Sequence, residues 1–325
     1  MKVLITGITG MVGSHLAEYL LENQPSAEVH GLIRWRSPMD NIRHIKNQII
    51  LHQAELRDLN SLIYILKMIK PDRIFHLAAQ SYVTASFNLP ADTLHTNVIG
   101  TTNLLDAVRL ADIDPRIHIC SSSEVYGQVE KDEIPIREDN PLRPASPYAV
   151  SKVGEDMIAL QYYLSYGMQT FRTRMFTHTG PRRGDVFAES AFAKQIANIE
   201  AGIQQNPVKV GNLDSVRTFA DVRDAVKAYW LLLEKGIPGE VYNIGGQETL
   251  SVGDMLRILK GMATCKIEHQ VDQNLLRPSD VTLQIPDTSK FRETTGWRPE
   301  IPVEVTLQDL LNYHRKRLGE VIERV

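Results

Sequence analysis

The chain has 325 residues and a formal net charge of −3, with 36 Lys and Arg set against 39 Asp and Glu. That balance, with a pI near 6.4, argues against bulk nucleic-acid binding, and no apolar run reaches the about 18 residues that a membrane span needs. A chain this long can bury a large core, and two lobes are expected rather than one.

Residues 2–6 read as a short, mostly apolar strand of the kind buried in a parallel sheet. Gly7-Ile8-Thr9-Gly10-Met11-Val12-Gly13 follows at once, and an amphipathic run over 14–22 comes next. The spacing is G-x-x-G-x-x-G. Gly7 allows the tight turn, Gly10 lets the backbone approach a pyrophosphate, and Gly13 lets the helix pack on the strand. The helix amino terminus then faces the phosphates.

Further strands are predicted at 29–34, 49–52, 73–76, 117–120 and 169–174, with helices at 59–69, 97–111 and 148–166 between them. This alternation implies a doubly wound parallel sheet with right-handed crossovers. Past about residue 175 the alternation weakens. Pro181-Arg182-Arg183-Gly184 marks a loop, helices are predicted at 189–201 and 252–261, and strands at 208–210 and 240–244. Ligands of such sheets bind beyond the carboxyl ends of the strands, which puts 7–13, 77–81 and 121–124 on one rim.

Cys120 and Cys265 are the only cysteines, and both are expected as buried free thiols. The histidines lack metal-like spacing, so no metal is expected. The start Met-Lys-Val-Leu-Ile-Thr-Gly is too short and too soon interrupted to be a signal peptide, and a cytoplasmic setting is expected. His76, His118, Trp230 and Trp297 read as structural, and Trp35 as a residue for a subunit interface.

The chemistry-bearing group is Tyr148 and Lys152 in Ser-Pro-Tyr-Ala-Val-Ser-Lys, with Ser122 and Glu124 upstream in Ser-Ser-Ser-Glu-Val-Tyr-Gly. Four residues apart on a helix, Tyr148 and Lys152 share one face. The ammonium is expected to lower the phenol from its usual value near 10 toward working pH. A base, its tuner and a hydroxyl suffice to take a hydride from an alcohol. The carboxylate adds a base for the neighbouring carbon, although it could instead cap a turn. Arg34 and Arg36 stand where NAD-specific folds place an acid, and guanidinium groups there suit the 2′-phosphate of NADP, with NAD less favoured.

Thr6-Gly7-Ile8-Thr9-Gly10, His76-Leu77-Ala78-Ala79-Gln80-Ser81 and Pro147-Tyr148-Ala149-Val150-Ser151-Lys152 carry a resemblance over essentially the whole chain. Val210-Gly211-Asn212-Leu213-Asp214, Arg277-Pro278-Ser279-Asp280 and Gly296-Trp297-Arg298-Pro299 extend it. The chain resembles the extended short-chain dehydrogenase/reductase family of nucleotide-sugar enzymes. Within that family it is most similar to GDP-mannose 4,6-dehydratases and GDP-4-keto-6-deoxy-mannose reductases. The resemblance implies an α/β fold: a Rossmann-like doubly wound parallel sheet with a smaller mixed α/β carboxyl-terminal substrate lobe. Residues 1–174, with segments near 218–246 returning, would form the NADP-binding domain, and 175–325 the nucleotide-sugar-binding domain.

The resemblance further implies that Ser122 hydrogen-bonds the sugar 4-hydroxyl and that Tyr148 starts C4 oxidation. Glu124 would remove the C5 proton, while Lys152 holds the ribose and tunes Tyr148. It assigns cofactor contacts to Gly7, Thr9, Gly10, Met11, Val12, Gly13, Glu55, Leu56, Leu77, Ala78, Ala79, Ser81, His178 and Arg183, beside Arg34 and Arg36. Substrate contacts fall on Ser86, Thr177, Lys194, Arg217, Arg277 and Asp280. Thr177 stands where relatives usually have Asn, Asp92 replaces a frequent aromatic residue, and 192–196 and 228–232 look closer to the reductases. The expected activity is dehydration of a GDP-hexose to its 4-keto-6-deoxy form in a homodimer or homotetramer. An NADPH-dependent 4-keto-6-deoxy-mannose reductase, a nucleotide-sugar epimerase or decarboxylase, and a cofactor-sensing regulator are the alternatives.

Overall fold

The computed structural model describes residues 1–276 and 281–322. Its strands are β1 (Lys2–Thr6), β2 (Glu28–Ile33), β3 (Ile50–Gln53), β4 (Arg73–His76), β5 (Arg116–Ser122), β6 (Thr170–Met175) and β7 (His178–Thr179). Then come β8 (Val208–Val210), β9 (Val216–Thr218), β10 (Ala220–Asp221), β11 (Val241–Ile244), β12 (Thr249–Ser251), β13 (His269–Val271) and β14 (Leu283–Gln284). The helices are α1 (Met11–Asn23), α2 (Leu59–Ile69), α3 (Val83–Asn88), α4 (Pro90–Leu94), α5 (Gly100–Leu110) and α6 (Pro147–Tyr166). They continue as α7 (Ala188–Glu200), α8 (Val222–Lys235), α9 (Val252–Gly261), α10 (Ser289–Thr295) and α11 (Val303–Ile322).

Among the described residues, seven strands form the main sheet in the order β11-β6-β5-β4-β1-β2-β3, all paired in parallel. The architecture is Rossmann-like. Chain direction across the sheet reverses between β1 and β4, which opens a crevice beyond their carboxyl ends. The late strand β11 returns to pair with β6. One sheet face buries Leu16 and Leu20 of α1 with Val226 and Tyr229 of α8. The other buries Leu62 and Leu66 of α2, Leu104 and Val108 of α5, and Ala159 of α6. A separate core under α7, α9 and α11 gathers Phe192, Ile196, Val208, Leu256, Leu307 and Leu311.

Local signals explain the element ends. Asp58 accepts from the amides of Asn60 and Ser61 at the start of α2. Ser146 caps α6 by accepting from the Ala149 amide, Pro147 occupies the first turn, and Gly167 ends the helix at φ 67°, a left-handed turn that glycine adopts without a Cβ clash. The helix expected over 97–111 is instead a π-turn (His95–Ile99) that runs into α5. The wider turn matches the work of Asn97, whose buried amide bonds the backbone of Gln80 and the Ser151 hydroxyl.

Trp230 and Trp297 are buried, whereas Trp35 is exposed with the Arg36 guanidinium 5.6 Å from its ring centroid. Both cysteines are free, but the expectation that both are buried fails. Cys265 is exposed and Cys120 only half-buried. Cys265 lies past the end of α9, outside the apolar face that α9 turns to the core. No helix among the described residues is long and apolar enough to cross a membrane.

Candidate active site

The glycine turn after β1 is built as its spacing demands. Gly7 sits at φ 71°, and a Cβ there would come within 2.9 Å of the Ala78 backbone. At Gly13 a Cβ would lie 2.3 Å from the Gly7 carbonyl oxygen, so α1 can seat on β1 only without a side chain. Gly13→Ala is expected to cost roughly 1–3 kcal/mol of stability through this overpacking, read as a lower Tm with weakened dinucleotide binding. Gly10 caps α1 without a side-chain hydrogen bond, and no acid stands in the first turn. The first amides of α1 therefore face the cleft with their positive partial charge uncancelled, a fit to a pyrophosphate.

The cleft has a volume of about 1080 Å³. Gly7, Thr9, Gly10, Met11, Val12 and Gly13 line one end with Arg34, Glu55 and Leu56, and Leu77, Ala78, Ala79 and Ser81 line its floor. Thr6 ties that floor to β1, its hydroxyl accepting from the amides of Leu77 and Ala78, both at 3.1 Å. Arg34 lines the cleft and Ser37 stands with it, its hydroxyl accepting from the Arg34 amide at 2.9 Å. Arg36, expected as a second cofactor contact, is not part of the wall and stacks on Trp35 instead.

Four side chains meet where β5 and α6 converge. Ser122 ends β5 and starts the 3-10 turn Ser123–Tyr126, its hydroxyl accepting from the Glu124 amide at 3.2 Å. This turn swings Glu124 into the cleft, so the serine does the capping and the carboxylate is left for chemistry. Tyr148, in the first turn of α6, lines the cleft with Ser122, whose hydroxyl works to lower the phenol's pKa. Lys152, one turn on, donates to the Cys120 carbonyl at 2.9 Å and to Glu155 Oε2 at 2.9 Å. Sequence spacing brings Tyr148 to Lys152; only the packing of α6 on β5 brings Ser122 to the same cleft wall.

The expected lowering of Tyr148 is not what the resting site shows. Burial raises its pKa above the usual value and outweighs the opposing pull of Lys152 and the Ser122 hydroxyl. Burial works against the Lys152 ammonium too, but Glu155 and Tyr148 hold its pKa above normal, so the lysine remains charged. His76 and His118 behave as structural residues. Both are held neutral by burial, at about 3, and each bonds a threonine hydroxyl.

At the other end of the cleft, Thr177, His178, Arg183 and Arg217 all line the wall. Burial and the nearby Arg183 lower the His178 pKa to about 4, so it is neutral at pH 7. Arg183 pairs with Glu189 at 3.0 Å and stacks 3.5 Å above the Phe187 ring. Arg182 is bound bidentately by Glu18 of α1; neither arginine is a loosely solvated surface charge. Arg217 of β9 reaches 3.5 Å from Glu124 Oε1 and donates to the Val281 carbonyl at 3.0 Å.

Two expected substrate contacts fall elsewhere. Ser86 is fully buried behind the wall and donates to the Val83 carbonyl, because its side of α3 faces inward. Lys194 points out of the cleft and pairs with Asp185, its side chain 46 % exposed. Arg277 and Asp280 lie outside the described residues. The sequence reading missed Gln284 of β14, which accepts from Ser123 at 3.0 Å and from Arg217 at 3.3 Å. It also missed Glu155. Gln284 follows no motif and meets Arg217 only through sheet pairing; Glu155 stood visible three residues beyond Lys152.

The family model for GDP-mannose 4,6 dehydratase matches residues 4–310. The chain belongs to the GDP-mannose 4,6-dehydratase family. It is 35 % identical to a GDP-mannose 4,6-dehydratase of Yersinia enterocolitica, over 93 % of this chain and 91 % of that one. It is also 32 % identical to a GDP-6-deoxy-D-mannose reductase of Pseudomonas aeruginosa, over 98 % and 99 %. Among solved structures, RMD from Pseudomonas aeruginosa complexed with NADPH superposes with a TM-score of 0.85 at 32 % identity, covering 97 % of this chain and 99 % of that one. DesIV, a dTDP-glucose 4,6-dehydratase from Streptomyces venezuelae with NAD and TYD bound, gives 0.84 at 28 % identity, covering 98 % of each.

Proposed function

We propose that this family member dehydrates a GDP-hexose, GDP-mannose first among them, to the 4-keto-6-deoxy sugar. The observation that carries the reading is Glu124, turned into the cleft next to the Ser122–Tyr148–Lys152 group and 3.5 Å from Arg217. An oxidation site needs the triad; a carboxylate at that place adds a base for the carbon next to the one oxidised.

A nicotinamide, when bound, accepts the C4 hydride and returns it to C6. Gly7, Gly10 and the amides opening α1 would hold its pyrophosphate, Leu77–Ser81 its nicotinamide side, and Lys152 its ribose. Tyr148, as its phenolate, takes the proton of the sugar 4-hydroxyl, with Ser122 orienting that hydroxyl. The C4 ketone makes the C5 hydrogen acidic, and Glu124 removes it. Glu124 then gives that proton to the departing 6-hydroxyl, so water leaves and the carboxylate is restored; C5 takes a proton from solvent as C6 is reduced, and Tyr148 releases to solvent the proton it took, which closes the balance. The net change is loss of one water. Arg217 and Thr177 would hold the substrate and His178 and Arg183 the cofactor, and residues 175–325 would supply most of the nucleotide-sugar side, with 1–174 and the returning β11 on the cofactor side.

Arg34 with Ser37 supports NADP as the cofactor. Arg34→Ala is expected to raise the KM for NADP about tenfold to a hundredfold, from loss of one charged contact, and to leave the KM for NAD within about twofold. Equal effects on both cofactors would place Arg34 away from the 2′-phosphate. A homodimer is the inferred assembly, supported by Val150, Met157 and Leu164, which repeat every seven residues and stand exposed along α6; light scattering checks it.

The strong likeness to a GDP-6-deoxy-D-mannose reductase keeps one second reading. Incubation with GDP-mannose and NADP separates them. A product lighter by one water, with no net nicotinamide turnover, supports the dehydratase. Unchanged GDP-mannose, with NADPH consumed only when a GDP-4-keto-6-deoxy sugar is supplied, assigns the reductase.

A further inference from the structure

The reaction as derived leaves one buried acid unused. Glu155 follows Lys152 by almost one turn on α6 and is 1 % exposed. Its Oε2 takes a hydrogen bond from the Lys152 ammonium at 2.9 Å, while its Oε1 has no hydrogen-bond partner among the described residues. An ammonium has three protons. Glu155 and the Cys120 carbonyl engage two of them, which fixes a lysine that lines the cleft beside Tyr148. A half-satisfied carboxylate in that place is costly to fold around, and the hydrophobic packing of α6 does not call for it.

We propose that Glu155 is a positioning residue that sets how strongly Lys152 acidifies Tyr148, holding the ammonium in place while cancelling part of its field at the phenol. The inference rests on Tyr148 being the base of the proposed reaction.

The surrounding groups leave Glu155 as the one that varies. From α6 itself, Asp156 also faces the pair, and Arg172 and Arg174 of β6 neutralise it through ion pairs at 2.5 and 2.7 Å. From β4 and β5, His76 and His118 are neutral, with pKa values of about 3 through burial. Burial raises the thiol of Cys120 on β5 and the phenol of Tyr229 on α8. Glu155 alone is brought near neutrality, to about 7, by burial working against Lys152.

The test substitutes Glu155→Gln, whose amide oxygen still accepts from Lys152 but carries no charge. The Tyr148 phenol is titrated by ultraviolet difference against the matching Tyr148→Phe chain, with NADP present and no sugar. Its apparent pKa is expected to fall by on the order of one unit, the scale of removing a nearby buried charge. The acid limb of turnover then moves to lower pH by a similar amount. Glu155→Asp, with a shorter reach to the ammonium, is expected to lie between wild type and the glutamine chain. If the glutamine chain does not fold, the aspartate chain decides alone. A titration that stays in place, or moves upward, overturns the proposal and reduces Glu155 to a structural partner. The titration uses no sugar, so a wrong substrate assignment leaves its result readable.

Discussion

Tyr148→Phe is expected to lower turnover of GDP-mannose by about 10³–10⁴-fold, the upper range for loss of a general base. The ring is buried at 9 % exposure, and phenylalanine fills the same space. The folded chain loses only the hydroxyl, at a cost of no more than about 1 kcal/mol of stability. Dinucleotide affinity is expected to stay within about tenfold, because Lys152 keeps its bonds to Glu155 and the Cys120 carbonyl and one hydrogen bond is the most that is lost. Product mass gives the rate, and fluorescence titration with NADPH gives the affinity. A phenylalanine chain that still loses water from the sugar at a tenth of the wild-type rate or faster, roughly, removes Tyr148 from the role of base. The sign with pH follows from the raised phenol: turnover is expected to rise with pH through the acid side, as a larger fraction of Tyr148 can accept a proton.

Glu124→Gln is expected to separate the two halves of the reaction. Elimination should slow by about 10²–10⁴-fold, while removal of hydrogen from C4 in a single turnover changes by less than about tenfold, since Tyr148, Ser122 and Lys152 are untouched. Exchange of the C5 hydrogen with deuterated water reports the first step, and nicotinamide absorbance in a single turnover reports the second. Equal losses in both would deny Glu124 a dedicated role at C5. One side effect is built into the geometry. Glu124 also lies 3.5 Å from Arg217, so the glutamine chain frees part of that guanidinium, and the KM for GDP-mannose is expected to change with it. Arg217→Lys tests that contribution separately, because an ammonium cannot reproduce the bidentate hold of a guanidinium on a diphosphate.

Much of this molecule is legible along the chain because its signals are local. The run from Lys2 to Gly13 declares strand, turn and helix within a dozen residues, since Gly10 and Gly13 both close on the Gly7 carbonyl and Gly7 itself takes a positive φ; only the approach of Gly7 to Ala78 is made across the fold. The helix 59–69 and the strand 73–76 are read at their observed limits, helped by a capping Asp58 and a short apolar run. Tyr148 and Lys152 are legible for the same reason: a helix converts a spacing of four into neighbourhood.

Where contacts are made across the fold, the sequence reading fails in recognisable ways. Ser86 and Lys194 look able to reach a sugar, but one side of α3 faces the core and Lys194 projects away to Asp185. Arg36 sits two residues past Arg34 and yet leaves the cleft for Trp35. A side chain's direction depends on which face its element packs, and spacing alone does not encode that for short helices and loops.

The amino-acid order by itself determined the parallel sheet, the dinucleotide turn, and the pairing of a phenol with an ammonium, because those depend on backbone sterics and helical period. The tertiary structure alone decided the electrostatic state of that phenol. Burial raises it, and Glu155 engages the charge that opposes the rise. A pKa is set by the dielectric and by charges brought in from every side, and those are known only once β5, β6 and α6 have closed around the group.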